Sequence, residues 1–148
     1  MKLLIFLAFI ILVSCGDNST ERKDGFSETA KNSEDSLFQD VMDQHDEAMS
    51  KMGKLAGYRK QFDAKLDSLK KVKSSAKESI QKNYEAISAE LQQAEDKMNT
   101  WMQEFSIDSA QDDTKRRLEY LESEKTKVTK VKEEILSVLS KADSAVRK

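Results

Sequence analysis

The stretch MDQHDEAMSKM, residues 42–52, brings together residue types that bind soft metal ions. It contains His45, the only histidine of the chain, and three of the six methionines, Met42, Met49 and Met52. On a helix, at about 100° per residue, these four side chains fall within about 80° of one another. Thioether and imidazole groups select Cu(I) over Mg²⁺ or Ca²⁺. The spacing therefore indicates either a copper site or the apolar side of a helix.

A second segment, MNTWMQEF at residues 98–105, is expected to face this stretch across a helical hairpin. If the turn is centred near residues 74–75, positions whose numbers sum to about 149 lie opposite each other. His45 then lies near Phe105 and Glu104, and we expect Glu104 to accept its hydrogen bond. The predicted soft-metal ligands are His45, Met42, Met49, Met52, Met98 and Met102, with Trp101 beside them. This set resembles the ligands of small periplasmic copper chaperones.

The competing interpretation of the same residues is a packed core. Methionine fills irregular gaps beside aromatic rings, and every one of these positions already belongs to an apolar helical stripe. We favour this interpretation over copper binding, because the stripe alone accounts for the methionines. A histidine on such a stripe also titrates between pH 5 and 8, so a pH-sensitive bundle is a further alternative.

The sequence lacks the motifs of catalysis. One histidine, one cysteine and four glycines provide no nucleophile–base pair and no Gly-rich phosphate loop. Asp and Glu alternate with Lys at helical spacing, as on a solvated helix surface. Basic residues are interspersed with acidic ones, which excludes the basic patch of nucleic-acid-binding proteins. We therefore expect a protein that is not an enzyme, needs no dissociable cofactor and binds no nucleic acid.

Three apolar stripes predict the helices that position these residues. Proline is absent, and the later part of the chain is rich in strong helix formers. Apolar positions recur at steps of three and four in residues 35–71, 76–105 and 114–146. Asp112 or Asp113 is expected to cap the third helix. The pattern predicts an all-α fold, an elongated antiparallel three-helix bundle with coiled-coil-like packing.

Two features of this bundle stay open in the sequence. The break near Ser74 has weak helix formers but no Pro or Gly, so the first two helices could continue as one rod. A homodimer is another way to cover the stripes. Within the bundle, the pairing places Arg59 opposite Glu90, so Arg59 either forms a buried ion pair or, as we favour, lays its stem along the core while its charge reaches water. Lys125 interrupts the third stripe, and we expect its stem to lie along the core while its charge reaches water.

The start of the chain predicts export and lipid attachment. Lys2 precedes the apolar run LLIFLAFIILV, residues 3–13, which is too short to span a bilayer and has the length of a signal-peptide core. LVSC, residues 12–15, resembles the lipobox of bacterial lipoproteins. The resemblance implies removal of residues 1–14, a diacylglycerol thioether on Cys15 and an acyl chain such as palmitate on its amine. The alternative is an ordinary secretory signal that happens to contain a cysteine.

Residues 15–34 are polar and are expected to form a flexible tether behind the lipidated Cys15. A coil of about 18 residues would have a reach on the order of 20–25 Å. With no second cysteine to pair, Cys15 would serve as an attachment point rather than a redox group. We expect a lipid-anchored protein of the cell envelope, in the outer rather than the inner membrane, facing the periplasm or the cell exterior.

Three segments of the later chain, HDEAMSKM at 45–52, WMQEF at 101–105 and YLESEKTKVTKVKEEI at 120–135, resemble a group of small helical lipoproteins of gram-negative bacteria. Some members carry a name borrowed from viral A-type inclusion proteins. The resemblance implies a helical fold, a lipid anchor and no known activity. Our functional prediction is a structural or protein-binding module that meets an envelope protein or a second copy of itself, with soft-metal binding as the alternative.

Overall fold

The bundle consists of three long helices. The computed structural model describes residues 33–71 and 77–147. Its helices are α1 (Ser33–Leu69), α2 (Lys77–Glu104) and α3 (Thr114–Val146), and the described residues contain no strand. The three helices pack against one another, which confirms the predicted all-α three-helix bundle. Their bounds lie within two residues of the predicted ones, although the predicted break near Ser74 falls outside the described residues.

The directions of the helices follow from the contacts between them. Side-chain pairs join α1 to α3 along their length: Asp40–Lys125, Glu47–Lys132 and Tyr58–Asp143 each span 85 residues of sequence, and Glu34–Arg117 at the end spans 83. A nearly constant separation means that α1 and α3 run parallel and in fixed register. The α2 helix runs antiparallel to both, because its C-terminal Trp101 contacts the early part of α3. The α1 and α2 helices are therefore two separate rods and not one.

One heptad position in each helix forms the centre of the core. In α1 and α3, every side chain at this position is fully buried, as are two consecutive ones in α2. Leucine, isoleucine, valine and phenylalanine dominate this layer, and burying each such side chain contributes about 1.5–3 kcal/mol. The residues are Val41, Ala48, Leu55 and Phe62 in α1, Leu91 and Met98 in α2, and Leu121, Val128, Ile135 and Ala142 in α3.

The second heptad position of α1 lies at the edge of the core. Phe38, His45, Met52 and Arg59 are each half-buried rather than enclosed. His45 and Arg59 can therefore direct their polar atoms toward water while the rest of the side chain contacts the core. The matching position of α3 is enclosed, and it holds charged residues at its N-terminal end.

The connection between α2 and α3 is a compact turn. Asp113, at the predicted cap position, has extended backbone, and its carboxylate accepts a hydrogen bond from the backbone N–H of Arg116. The turn contains Ala110 with a φ of 57°, a left-handed conformation that is costly for a residue with a side chain. The backbone N–H of Asp113 closes the turn on the carbonyl of Ala110. The turn brings the end of α2 beside the start of α3.

None of the helices in residues 33–71 and 77–147 combines the length and the apolar character needed to cross a membrane.

Candidate functional site

Aromatic side chains cluster at the end of the bundle where α1 begins. We call Phe38, Trp101, Phe105 and Tyr120 the aromatic cluster. Phe105 is its centre, with ring centroids 4.9 Å from Trp101, 6.1 Å from Tyr120 and 6.4 Å from Phe38. Such ring pairs stabilise packing beyond their buried area. Because the rings come from all three helices, the cluster holds α1, α2 and α3 together at this end of the bundle.

His45 lies against this cluster, at the edge of the core. Its ring centroid is 5.6 Å from that of Trp101, and its side chain is 18% exposed. Nδ1 lies 2.9 Å from the carboxylate of the neighbouring Asp46. Asp46 thus takes the place that the sequence analysis predicted for Glu104. The reason is local, because the next residue along the helix can reach the imidazole, whereas a residue across the hairpin must match in register.

The methionines predicted as soft-metal ligands lie at different depths. Met98 is fully buried in the central layer, while Met102, one turn further along α2, is 37% exposed. Met49 and Met52 are half-buried and pack against the core. Met42 is also half-buried. Met42, Met49 and Met52 share partial exposure with His45 on the same side of α1, and Met42 and Met49 are the nearest to it along the helix, three residues before it and four after it.

Glu124 is a buried carboxylate beside Trp101. Its side chain is 5% exposed, and it accepts hydrogen bonds from Nε1 of Trp101 at 2.9 Å and from Nζ of Lys127 at 2.7 Å. The hydrogen bond to Glu124 raises the pKa of the Lys127 ammonium above its ordinary value. These two donors, from α2 and α3, hold the carboxylate in one position. Glu124 therefore fixes the orientation of the Trp101 indole.

Arg117 is the second buried charge of α3, one heptad before Glu124. It donates from Nε to the Glu34 carboxylate at 3.2 Å and from Nη1 to the Ser109 carbonyl at 2.8 Å. Its guanidinium also lies over the Tyr120 ring, 5.9 Å from the centroid. Arg117 thus ties the first turn of α1 to the α2–α3 turn, and it holds both against the aromatic cluster.

The partner of Arg59 differs from the residue that the sequence pairing placed opposite it. Arg59 pairs with Glu95 at 2.6 Å and not with Glu90, which instead accepts from Lys141 of α3. The pairing predicted from the sequence requires the numbers of facing residues to have one constant sum along the hairpin. An error of about one helical turn in that sum is enough to change the partner of Arg59. Lys125 donates to Asp40 at 2.6 Å, and its side chain is 40% exposed. This agrees with the expectation that its stem lies along the core while its charge reaches water.

A broad groove lies at the opposite end of the bundle. It has a volume of about 770 Å³ and runs between the start of α2 and the end of α3, where Ile80, Tyr84 and Ile87 meet Ser140 and Ala145. Ile80 and Tyr84 also line a second groove of about 400 Å³ against the end of α1. Ile80 is 41% exposed between the two grooves. This end presents apolar surface to the solvent.

Polar atoms in the enclosed parts of the bundle are satisfied internally. Among the described residues, no buried side-chain nitrogen or oxygen lacks a hydrogen-bond partner. The same residues contain no group of three or more His, Cys, Asp or Glu side chains arranged to hold a metal ion. Cys15, the predicted lipidation site, lies outside the described residues.

The chain matches no family model, and searches of the curated proteins and of the solved structures find no match either. The resemblance to helical lipoproteins of gram-negative bacteria therefore stays a prediction from the sequence segments that carry it.

Proposed function

We propose that this protein is a lipid-anchored component of the cell envelope whose helical bundle is a binding or structural module without catalytic activity. The observation that carries the proposal is the sequence LVSC at residues 12–15, directly after a short apolar run and one lysine. Lipid on Cys15 would hold the folded bundle at a membrane surface through a short polar segment, and two or three acyl chains suffice for stable attachment.

The orientation of the bundle supports this proposal. The α1 helix begins at Ser33, so the aromatic cluster lies at the end of the bundle nearest the proposed anchor. The 37 residues of α1 span about 55 Å at 1.5 Å per residue. The grooves around Ile80 lie at the far end. A rod that places an apolar groove away from the membrane is suited to receive an amphipathic segment of another envelope protein.

The anchor is tested by substituting the cysteine. We expect Cys15→Ser to release the protein from the membrane fraction or to leave the precursor uncleaved, because no other side chain of the chain can form the thioether. Labelled palmitate should enter the parent protein and not the variant. Ser14→Ala, which keeps a small residue before the cysteine, is the matched control and should behave as the parent. Absence of label from the parent would exclude the lipoprotein proposal.

The binding role is tested in intact cells. A photo-activated cross-linking residue at position 80, in the grooves, should capture one defined envelope protein, identified by mass spectrometry. The same residue at Lys130, an exposed position of α3, is the control and should not yield that product. A chain that cross-links only at the control position would argue against the groove as a binding surface.

Copper binding is a second candidate, favoured by the position of His45 beside Trp101 and the partial exposure of Met42 and Met49 on the same side of α1. Anaerobic titration with Cu(I) should then quench Trp101 fluorescence, and His45→Gln should abolish the quenching. Met102→Leu, outside this smaller set, is the control. A dissociation constant weaker than the order of micromolar would exclude the candidate, since a periplasmic ligand site must compete with other soft donors.

A further inference from the structure

The two halves of α1 carry opposite charge. Residues 33–50 contain six acidic side chains and no Lys or Arg, whereas residues 51–69 contain five Lys or Arg and two Asp, and Lys70 and Lys71 follow directly after the helix. The macrodipole favours acids in the first turn and bases in the last turn of a helix, but its influence ends there. Charges in the middle turns therefore need another reason. The α1 helix is a rod with a negative half and a positive half.

Part of this charge faces outward, away from α2 and α3. Three acids, Glu34, Asp40 and Glu47, are paired with α3. Asp43 and Asp46 are exposed in the negative half, and Lys54, Lys60 and Lys71 are exposed in the positive half. Neither neighbouring helix covers this face.

Two glycines occupy the centre of the same face. A Cβ atom built on Gly53 or Gly57 would meet nothing within 4 Å, and neither residue has a positive φ. The bundle itself therefore has no need for glycine at either position. Glycine in a helix interior is destabilising relative to alanine, whereas it lets a second backbone approach closely. Both residues are exposed, so the open space lies outside the bundle.

We propose that the outward face of α1 binds the same face of a second copy, with the two helices antiparallel and crossing near Gly53 and Gly57. In this arrangement the negative half of each α1 lies along the positive half of the other. A parallel arrangement would place acid against acid, and like charges at close range are unfavourable. The inference deepens the proposed binding role, on which it rests, by naming a second copy as the partner of α1.

The geometry is tested with cysteines in the full-length protein in its own membranes. Ser50 and Gln61 are exposed, neutral and on the same side of α1. With the crossing near residue 55, Ser50 of one copy lies close to Gln61 of the other. Two copies of either residue lie roughly 15 Å apart along the helices, and a disulfide needs Cα atoms within about 7 Å.

Chains with Ser50→Cys and chains with Gln61→Cys, carrying tags of different mass, are therefore oxidised alone and together. We expect a disulfide only between the two different chains. Homotypic disulfides would show parallel helices and overturn the inference, and so would the absence of any disulfide. The parent protein, oxidised in the same way, measures any contribution from Cys15.

Charge reversal provides a second test that a folding defect cannot mimic. On the outward face, Asp43→Lys with Asp46→Lys makes the first half of α1 positive like the second, and Lys60→Glu with Lys71→Glu gives the second half net negative charge like the first. In the cysteine background, each variant alone should lose most of its cross-linked product, and mixing the two variants should restore it. Lys130→Glu, the same change of charge on α3, is the control and should cross-link as the parent does. Failure of the mixture to restore the product would overturn the inference.

A substitution at the crossing point separates binding from stability. Gly57→Gln introduces a better helix former where the bundle has open space, so the thermal midpoint should rise or stay equal. The cross-linked product should fall at least tenfold, because the added side chain keeps the two backbones apart. Undiminished cross-linking would overturn the inference. Membrane fractionation of the same samples reports on the lipid anchor separately, so failure of the proposed function is distinguishable from failure of the α1 contact.

Discussion

Buried charge is concentrated at one end of the bundle, in the side chains of Arg117 and Glu124. Removing a charge from water is costly unless partners replace the solvent. Glu34 and Ser109 provide those partners for Arg117, and Trp101 and Lys127 provide them for Glu124. Each network joins elements that are distant in sequence, so these residues determine which helix ends meet.

The Glu124 network makes a specific prediction for stability. Glu124→Ala should lower the free energy of unfolding by about 1–3 kcal/mol, because the buried indole N–H of Trp101 loses its acceptor. Glu124→Gln retains a side-chain oxygen and should lose less. Urea unfolding followed by Trp101 fluorescence measures both. Glu122→Ala, an exposed position one turn away, is the control, and a loss in Glu124→Ala no larger than in this control would contradict the role given to Glu124.

Tyr58 links stability to alkaline pH. Its hydroxyl donates to Asp143 at 2.8 Å, and this hydrogen bond, with burial, raises the pKa of Tyr58 above 10.0. Ionisation removes the donor and places a second negative charge beside Asp143. The stabilisation is therefore complete below about pH 10, the ordinary tyrosine pKa, and is lost as the pH rises through the higher pKa of the folded state.

The measurement compares the parent with Tyr58→Phe between pH 8 and pH 12. The difference in tyrosinate absorbance between the two proteins should show a midpoint above 10. The stability difference that favours the parent should shrink over the same range. A difference titration with its midpoint at or below 10 would show that the hydrogen bond to Asp143 does not hold the proton.

The buried charges were not predictable from apolar pattern alone. The spacing of apolar residues by itself assigns charged residues to the surface. Arg117 and Glu124 were therefore missed, although they stand seven residues apart. The sequence did indicate their burial, because the seven-residue spacing continues from Glu124 through Val131, Val138 and Ala145, which are all at least partly buried. The partners of His45 and Arg59 were wrong for a different reason. Heptads fix which side of a helix is buried, but they do not fix the register between helices to better than about one turn.

At the scale of the elements, the helices themselves were predictable. Spacings of three and four, the absence of proline and the Asp-rich segment before α3 located all three helices to within two residues. Their mutual directions also followed, because short connections favour antiparallel neighbours. The charge division of α1 was visible in the sequence as well, but counting charges over the whole chain averages it to near neutrality.

The start of α3 depends on a single side chain. Asp113 accepts from the backbone N–H of Arg116 at 3.1 Å and from its Nε at 3.3 Å. Asp113→Ala should lower stability by about 0.5–2 kcal/mol, because an N-terminal N–H of α3 loses its acceptor. Asp112→Ala removes only an exposed ion pair to Arg116, which is worth little, and serves as the control. Equal thermal midpoints for the two variants would contradict the capping role.

At the scale of the whole molecule, the parallel pair α1 and α3 forms a frame that α2 completes. The two helices are joined in one register by Asp40–Lys125, Glu47–Lys132 and Tyr58–Asp143, although α2 separates them in sequence. The two ion pairs among them are partly exposed and contribute little energy each, so the constant spacing of the three contacts matters for alignment more than for strength. The energy comes from the central layer, to which all three helices contribute.

Removal of α3 should therefore unfold the protein. A chain that ends at residue 109 loses Leu121, Val128, Ile135 and Ala142 from the central layer. At about 1.5–3 kcal/mol for each of the three larger side chains, this loss is comparable with the net stability of about 5–15 kcal/mol that is usual for a small domain. Most helix stability in proteins comes from packing of an apolar face against other elements rather than from intrinsic propensity. Far-ultraviolet circular dichroism should show reduced helix and no cooperative thermal transition, with rapid proteolysis of α1 and α2.

A chain that ends at residue 146 keeps the whole layer and should melt as the parent does. A sharp thermal transition in the shorter chain, at a concentration low enough to prevent association, would show instead that α1 and α2 form a stable hairpin and that α3 is an addition to it.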